Sequence, residues 1–478
     1  MAGPNLASGR RHDAGHHHVA RARPPCRGAT PRMTARPRVF LDGYNLALDQ
    51  GTGVATYARN LSFAMGRLGY ETGVLYGTRA APSLNPLIRE IAFFDERVGD
   101  TTLWLQLLRR AAGLFTAPMG ETARRVPITG TVISTTFNDR LPHFDEIWNA
   151  RDLFQQAAAH QRFFNSRLRV RVAERPKLMH WTYPLQLRMP GAQNIYTLHD
   201  LVPLRLPYTT LDNKRRYWKL NRMLTRRADH IVTVSEASRR DIISLLGCDP
   251  RQVTNTYQAV DIPAKFRNLP LEMAQAEARG SFGLEPNNYY LFFGAIEPKK
   301  NVGRLIQAYL ASGVEAPLVI VGKKAWKSDD ELRLMFDDHI RTLVQDGSVL
   351  RTRRKIILLD YAPFRLLVNL IRGARAVLFP SLYEGFGLPV LESMLLGAPV
   401  ITSNTSSLPE LVGDAALQVD PYDVAGLVQA IQAVDRDPEL RARLAAAGPQ
   451  RAALFSPERY AERLGRLYTS LGVPPPAA

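Results

Sequence analysis

Short apolar runs, each four or five residues long and closed by glycine, proline or polar residues, recur along the chain with longer mixed stretches between them. They fall at residues 38–42, 194–198, 230–234, 289–293, 318–321, 355–359, 376–379 and 399–402. Runs of this length without apolar–polar alternation suit strands buried on both faces, and the stretches between them have helical character. Strand alternating with helix predicts an α/β chain, long enough at 478 residues for two doubly wound, Rossmann-like domains. The boundary is expected near residue 270, within a stretch from Asp261 to Pro286 that holds Pro263, Pro270 and Gly283. No internal repeat at fixed spacing is present. Residues 1–36 are rich in Arg, Pro, Gly, Ala and His and could bury no face, so a disordered basic tail is expected there. Met33 stands just ahead of the first strand, and His16-His17-His18 reads as solvated tail rather than a metal site.

The densest chemistry lies in Glu384-Gly385-Phe386-Gly387-Leu388-Pro389-Val390-Leu391-Glu392. Two glycines let the backbone approach a ligand closely, and Pro389 suits the first turn of a helix expected to run to about Leu396 before Gly397 ends it. Unpaired N–H groups at that helix start favour a phosphate, and the flanking carboxylates suit hydroxyl-rich groups on either side of it. A nucleotide-sugar has this layout. Taken singly, Glu392 also reads as an ordinary first-turn acid and Glu384 as a hydrated loop carboxylate.

Other residues gather where strands end. His199 and Asp200 close the run at 194–198, and ligands of open α/β sheets collect beyond the carboxyl ends of strands. A histidine there can donate to a sugar hydroxyl or share developing charge, while a structural role is an equal alternative. Glu297-Pro298-Lys299-Lys300-Asn301 places two lysines at a strand-to-helix turn, where ammonium groups would neutralise a diphosphate leaving group; solvated surface lysines are the plain reading. Lys323 follows strand and glycine in the same way. Gly51-Thr52-Gly53 only grazes a dinucleotide fingerprint, because Thr56 stands in place of the third glycine, so close approach to a phosphate or acceptor competes with a simple turn. Ser235 and Glu236 read first as a helix cap. Asp435-Arg436-Asp437 has the spacing of a divalent-ion motif, yet it precedes Pro438 and a helix and is expected to be a hydrated turn.

Taken together, the strand at 376–381, the Glu384-to-Glu392 loop and helix, and the strand approached through Gly397 resemble the Glu-x7-Glu signature of the retaining glycosyltransferases of family 4. Tyr196-Thr197-Leu198-His199-Asp200-Leu201-Val202-Pro203 resembles that family's first-domain histidine motif. His180-Trp181-Thr182-Tyr183-Pro184 is similar to bacterial mannosyltransferase-like members that build surface polysaccharides. The resemblance covers about residues 38–471 and implies the GT-B architecture. In it an N-terminal acceptor domain (37–270) faces a nucleotide-sugar domain (271–456) across a cleft, with a crossover helix and tail at 457–478.

It also implies retaining transfer of a hexose through a front-face ion pair, with GDP-mannose the first choice of donor and a UDP-sugar the second. Catalytic roles fall to His199, Lys300 and Glu384. Donor-binding roles fall to Gly53, Lys299, Lys323, Tyr361, Gly385, Phe386, Gly387, Leu388 and Glu392. Many relatives carry an arginine just after the glycine at the position here taken by Ala295, so Lys299 or a first-domain arginine would have to stand in for it. No metal and no cofactor are expected, the nucleotide-sugar being a substrate. A sugar-nucleotide epimerase of the same architecture and a non-catalytic nucleotide-sugar-binding relative are the rival readings.

Charge adds partners but does not choose among them. The net charge is +18, of which the tail's seven Arg and one Asp supply +6, leaving +12 for the rest. Nucleotide diphosphates, anionic lipid and nucleic acid all fit such a charge, but no nucleic-acid recognition module is present. The basic helix from Lys214 to Arg227 and the segment from Leu103 to Arg110 are candidates for peripheral contact with an anionic membrane bearing a lipid-linked glycan acceptor. No run reaches the length of a membrane span and no apolar leader is present, so a cytoplasmic protein is expected. Two cysteines, Cys26 and Cys248, make no disulfide framework.

Overall fold

The computed structural model describes residues 36–46, 53–80, 83–94, 120–129, 132, 141–336, 341–346 and 349–476. The basic tail with His16 to His18, Cys26 and Met33 lies outside them, as do Gly51, Thr52 and the segment from Leu103 to Arg110. Two sheets organise the rest. The first runs in the order Val253–Asn255, His230–Thr233, Gln193–Thr197, Leu178–Trp181, Arg38–Asp42, Glu71–Tyr76, Glu146–Asn149, Arg124–Val126. Its neighbours are parallel except at the edge formed by Arg124–Val126. The second is parallel throughout, in the order Ile356–Leu359, Leu318–Val321, Tyr290–Phe293, Ala376–Phe379, Val400–Ser403, Leu417–Val419.

Every residue of Tyr290–Phe293, Leu318–Val321 and Ala376–Phe379 is buried, because helices cover both faces; that is why these runs show no alternation. Some ends shift by one residue. The strand expected at 399–402 occupies Val400–Ser403, since Pro399 offers its carbonyl to the Val377 amide (2.8 Å) but has no N–H to return.

In each sheet the chain winds outward from a central strand and then resumes on that strand's other side. Loops leaving the two strands at such a point diverge and open a crevice at their carboxyl ends. In the first sheet the point lies between Arg38–Asp42 and Leu178–Trp181, and there the Asp42 carboxylate accepts from both the amide and the hydroxyl of Thr182. In the second it lies between Tyr290–Phe293 and Ala376–Phe379, the strands that lead to Lys299, Lys300 and Glu384.

The last helix, Pro457–Ser470, packs on the first, Gly53–Arg67, so the chain ends against the lobe where it began. Its Tyr468 hydroxyl meets His180 Nδ1 at 2.7 Å, His180 Nε2 meets Thr197 Oγ1 at 2.8 Å, and Tyr57 joins the same Thr197 oxygen at 2.9 Å. Burial, reinforced by His199 and His230, pushes the pKa of His180 down to about 3, so the ring is neutral. Among the described residues no helix is long and apolar enough to cross a membrane.

Tyr468→Phe leaves His180 Nδ1 without a partner in a dry site. It is expected to lower stability by roughly 1–3 kcal/mol, read as a lower urea midpoint with an unchanged far-ultraviolet circular dichroism spectrum.

Candidate functional site

The second lobe's crevice is built on one ion pair. Lys300 Nζ donates to Glu384 Oε1 at 2.7 Å with both residues buried, and it also stands 4.8 Å from the centre of the Phe379 ring. Burial opposes the charge on Glu384, but Lys300 and then Lys299 outweigh it and hold the carboxyl below its ordinary range. A hydrated loop carboxylate is therefore excluded at this position. Three hydrogen bonds fix the surrounding loops: the Leu382 amide donates to the Lys299 carbonyl (2.8 Å), and the Asn301 side chain donates to the carbonyls of Pro380 (3.0 Å) and Pro421 (2.7 Å).

Lys299 pairs instead with Glu297, at 3.4 Å. It helps line a cavity of about 330 Å³ together with Glu297 of its own lobe and His199, Asp200 and Tyr217 of the first. Burial works against its ammonium, yet Glu384, Glu297 and Asp200 more than offset that and raise its pKa above the usual lysine range. The turn thus divides its labour. Lys300 secures Glu384, while Lys299 presents charge to the cleft.

The loop from Glu384 to Gly387 is pinned from behind. The Ser406 hydroxyl accepts from the Glu384 amide (3.0 Å), and Ser407 Oγ sits against the carbonyls of Glu384 (3.0 Å) and Phe386 (2.5 Å). Gly387 adopts φ +118°, a backbone conformation that glycine tolerates best, and starts the helix Leu388–Leu395. Among the described residues the amides of Gly385 to Leu388 donate to no acceptor. The Phe386 side chain is buried between Tyr257 and Phe455, so only its backbone is left for a ligand. Glu392 lies in the second turn of the helix rather than the first, and burial pushes its carboxyl up to about 7.

The first lobe meets this loop at His199. A Cβ added to Gly385 would lie 2.9 Å from both the Asp200 side chain and the His199 carbonyl, so the close approach requires glycine. Ser238 Oγ bridges the two backbones, 2.9 Å from the His199 carbonyl and 3.4 Å from that of Gly385. His199 Nε2 sits 2.8 Å from the Thr182 carbonyl, which can only accept, so the proton is on Nε2 and Nδ1 is an acceptor. Burial lowers the histidine pKa, partly countered by that bond and by Asp200. In this tautomer Nε2 is committed to Thr182 and Nδ1 can only accept, so the ring as it stands has no N–H to donate to a hydroxyl.

Gly53 opens its helix beside Leu388, whose Cδ1 would lie 3.9 Å from an added Cβ. Lys323 and Tyr361 follow neighbouring strands but are exposed, and the ion pair does not involve them. The hydrated turn expected at Asp435-Arg436-Asp437 is instead occupied: Asp435 accepts from Tyr290 (2.8 Å) and pairs with Arg375, and Asp437 caps the next helix. Sequence reasoning missed Glu410. Its carboxylate accepts from the amides of Glu236 (3.0 Å) and Ala237 (2.9 Å) at the start of the first-lobe helix Glu236–Leu246, and from the Tyr257 hydroxyl (3.0 Å). The Ser235-x-x-Ser238 cap marks that helix start, but nothing local marks its partner.

Two family models divide the chain. "Glycosyl transferases group 1" matches residues 274–451, the lobe of the ion pair, and "Glycosyltransferase Family 4" matches residues 128–262, the lobe of His199. The chain belongs to glycosyltransferase family 4. This family 4 chain is 35% identical over 268 residues to O-antigen chain mannosyltransferase B of Escherichia coli, covering 55% of this chain and 66% of that relative. It is 27% identical over 250 residues to O-antigen chain mannosyltransferase RfbU of Salmonella typhimurium, covering 52% and 62%. Matches to serotype-specific mannosyltransferase WbdA of Escherichia coli span about a third of that protein (32%), so the chain spans two thirds or less of the length of the curated relatives it matches.

Among solved structures, sucrose-phosphate synthase from Thermosynechococcus elongatus superposes with TM-score 0.58 at 19% identity, over 91% of this chain and 99% of that one. Anabaena HepE in complex with UDP and glucose gives TM-score 0.56 at 15%, over 91% and 100%. The fold of this family 4 chain is GT-B.

Lys300→Met in this family 4 chain leaves Glu384 buried without its partner and is expected to cost roughly 3–5 kcal/mol. Lys300→Met/Glu384→Gln should recover much of that loss, as denaturation midpoints of the single and double variants will show. Glu392 gives a pH signature. Below about pH 4.5 its carboxyl is protonated folded and unfolded; between there and about pH 7 folding is progressively penalised, because the folded state holds the proton longer. Glu392→Gln should therefore leave the melting temperature nearly unchanged at acid pH and raise it above neutrality.

Proposed function

We propose that the chain is a metal-independent retaining hexosyltransferase that moves mannose from GDP-mannose to a hydroxyl of a glycan or lipid-linked glycan in surface-polysaccharide synthesis. The observation that carries this reading is the convergence of Lys299, Lys300 and Glu384 at a sheet switch point, with Lys299 and His199 of the other lobe lining one cavity. The similarity to O-antigen chain mannosyltransferases supports mannose and a polysaccharide acceptor.

In this mechanism the diphosphate lies against the free amides of Gly385 to Leu388, where backbone dipoles and Lys299 stabilise the charge that grows as the glycosidic bond breaks. Lys300 acts through Glu384, holding it ionised so that its remaining lone pairs accept from donor-sugar hydroxyls. His199 Nδ1 accepts from a further sugar hydroxyl beside the reacting carbon. Glu392 takes the ribose hydroxyls, and that hydrogen bonding favours its charged form. The departing phosphate removes the acceptor's proton on the face from which it leaves, which retains the anomeric configuration. Lys299 and a helix start supply the positive charge for which other transferases use a divalent ion.

The test is incubation of the purified chain with radiolabelled GDP-mannose and glycan acceptors, in buffer with and without EDTA. Acceptor-dependent GDP release with an α-linked product supports the proposal. An acceptor-independent epimer would install the epimerase reading instead, and binding without turnover the non-catalytic one. Gly385→Ala forces Asp200 and the His199 carbonyl away from the loop and is expected to lower kcat/KM on the order of tenfold or more with little change in melting temperature.

A further inference from the structure

The first lobe has a second recess, of about 530 Å³, lined by His160, Phe164, Ser166, Arg167, Arg169, Arg188 and Arg227. It shares no lining residue with the interlobe cavity. Its residues come from the parallel pair Leu168–Arg171 and Leu187–Arg188, from the connection at 165–167, and from the carboxyl-terminal ends of the helices Leu153–Phe164 and Lys214–Arg227. Cations at a helix carboxyl end complement its dipole, which accounts for Arg226 and Arg227.

The same reasoning does not account for the strand arginines. Arg169 and Arg188 stand directly opposite each other in the ladder, where like charges destabilise a pair. Among the described residues none of Arg167, Arg169, Arg188 and Arg227 forms an ion pair with a carboxylate. Arg167 donates to the neutral Tyr196 hydroxyl at 3.1 Å. Burial and then the two neighbouring guanidinium groups, Arg169 and Arg167, lower the pKa of Arg188. An adjoining recess with Lys219, Arg222 and Arg226 shares Arg227 and extends the positive field.

A hydroxyl donor completes the set. His160 is buried, its Nε2 lies 2.8 Å from Ser166 Oγ, and its Nδ1 has no partner. A bare lone pair is cheaper to bury than an unpaired N–H, so the proton belongs on Nε2 and the Ser166 hydrogen is free to point elsewhere. Guanidinium forks match tetrahedral oxyanions, and a phosphate carries enough charge to relieve several of them at once. We propose that this recess binds a phosphate-bearing group, a phosphomonoester or diphosphate, through Arg169 and Arg188, with Arg167, Arg227 and Ser166 as further donors. It is separate from the donor-sugar site and does not depend on the identity of the transferred sugar.

The test is calorimetric titration of the full chain with inorganic pyrophosphate at low salt, paired with co-sedimentation on phosphatidylglycerol-containing and purely phosphatidylcholine vesicles. Arg169→Gln/Arg188→Gln is expected to weaken a pyrophosphate component by about tenfold or more, while Lys299→Gln, in the cleft, leaves that component in place. Loss of pyrophosphate binding identifies a soluble phosphate as the source. Loss confined to the anionic vesicles identifies a lipid headgroup. Arg169→Glu, at an exposed position, serves if the double variant does not fold. Hydrogen exchange of the unaltered chain should show pyrophosphate or anionic vesicles protecting residues 166–171 and 187–188. Unchanged binding of both probes in the variants, or no protection of these strands by either probe, overturns the proposal.

Discussion

A buried ammonium 2.7 Å from a buried carboxylate sets the form of the cleft. Either charge alone would be forced towards neutrality or out to solvent; together they stay ionised and hold two loops that leave different strands 84 residues apart. The pair occupies the one place in a parallel sheet where neighbouring loops part company, so it fills the root of the crevice and leaves the mouth open. Because Lys300 is committed inward, its neighbour Lys299 is the lysine of the turn that lines the cavity.

The opposing lobe is held at this crevice by polar contacts of unusual economy. One serine hydroxyl, that of Ser238, touches a carbonyl from each lobe, and one carboxylate, that of Glu410, closes the start of a helix in the lobe to which it does not belong. Apolar packing of Phe386 with Tyr257 and Phe455 backs the polar seam. The closing helix Pro457–Ser470 then ties the far end of the chain to the first lobe through His180, whose ring stands edge-on near Tyr57, itself 4.8 Å from the ring of His199. The histidine at the cleft is thus backed by Tyr57 and His180, which do not line the cavity themselves.

Much of this was legible from residues alone. Runs such as Leu318–Val321 and Ala376–Phe379 announce strands buried on both faces, and the Gly387, Pro389 and Gly397 punctuation brackets a helix that runs from Leu388 to Leu395. Placement of His199, Lys300 and Glu384 at strand ends follows from the same alternation. What one-dimensional reading could not provide is direction. It could not tell which of two adjacent lysines turns inward, which nitrogen of His199 holds the proton, or that Phe386 buries its ring, because each depends on a partner distant in sequence. Glu410 and Ser238 look like ordinary helix residues until the lobes are brought together. Lys323 and Tyr361 show the converse, with a strand-end position that carries them to the exposed surface.

The shared helix cap at Glu410 couples the two lobes energetically. Parting the lobes along this seam would uncover two amide hydrogens at the head of the Glu236–Leu246 helix. Breaking and remaking such a cap is a step on the order of 1–2 kcal/mol. The integrity of that helix end in the first lobe is therefore linked to a carboxylate of the second.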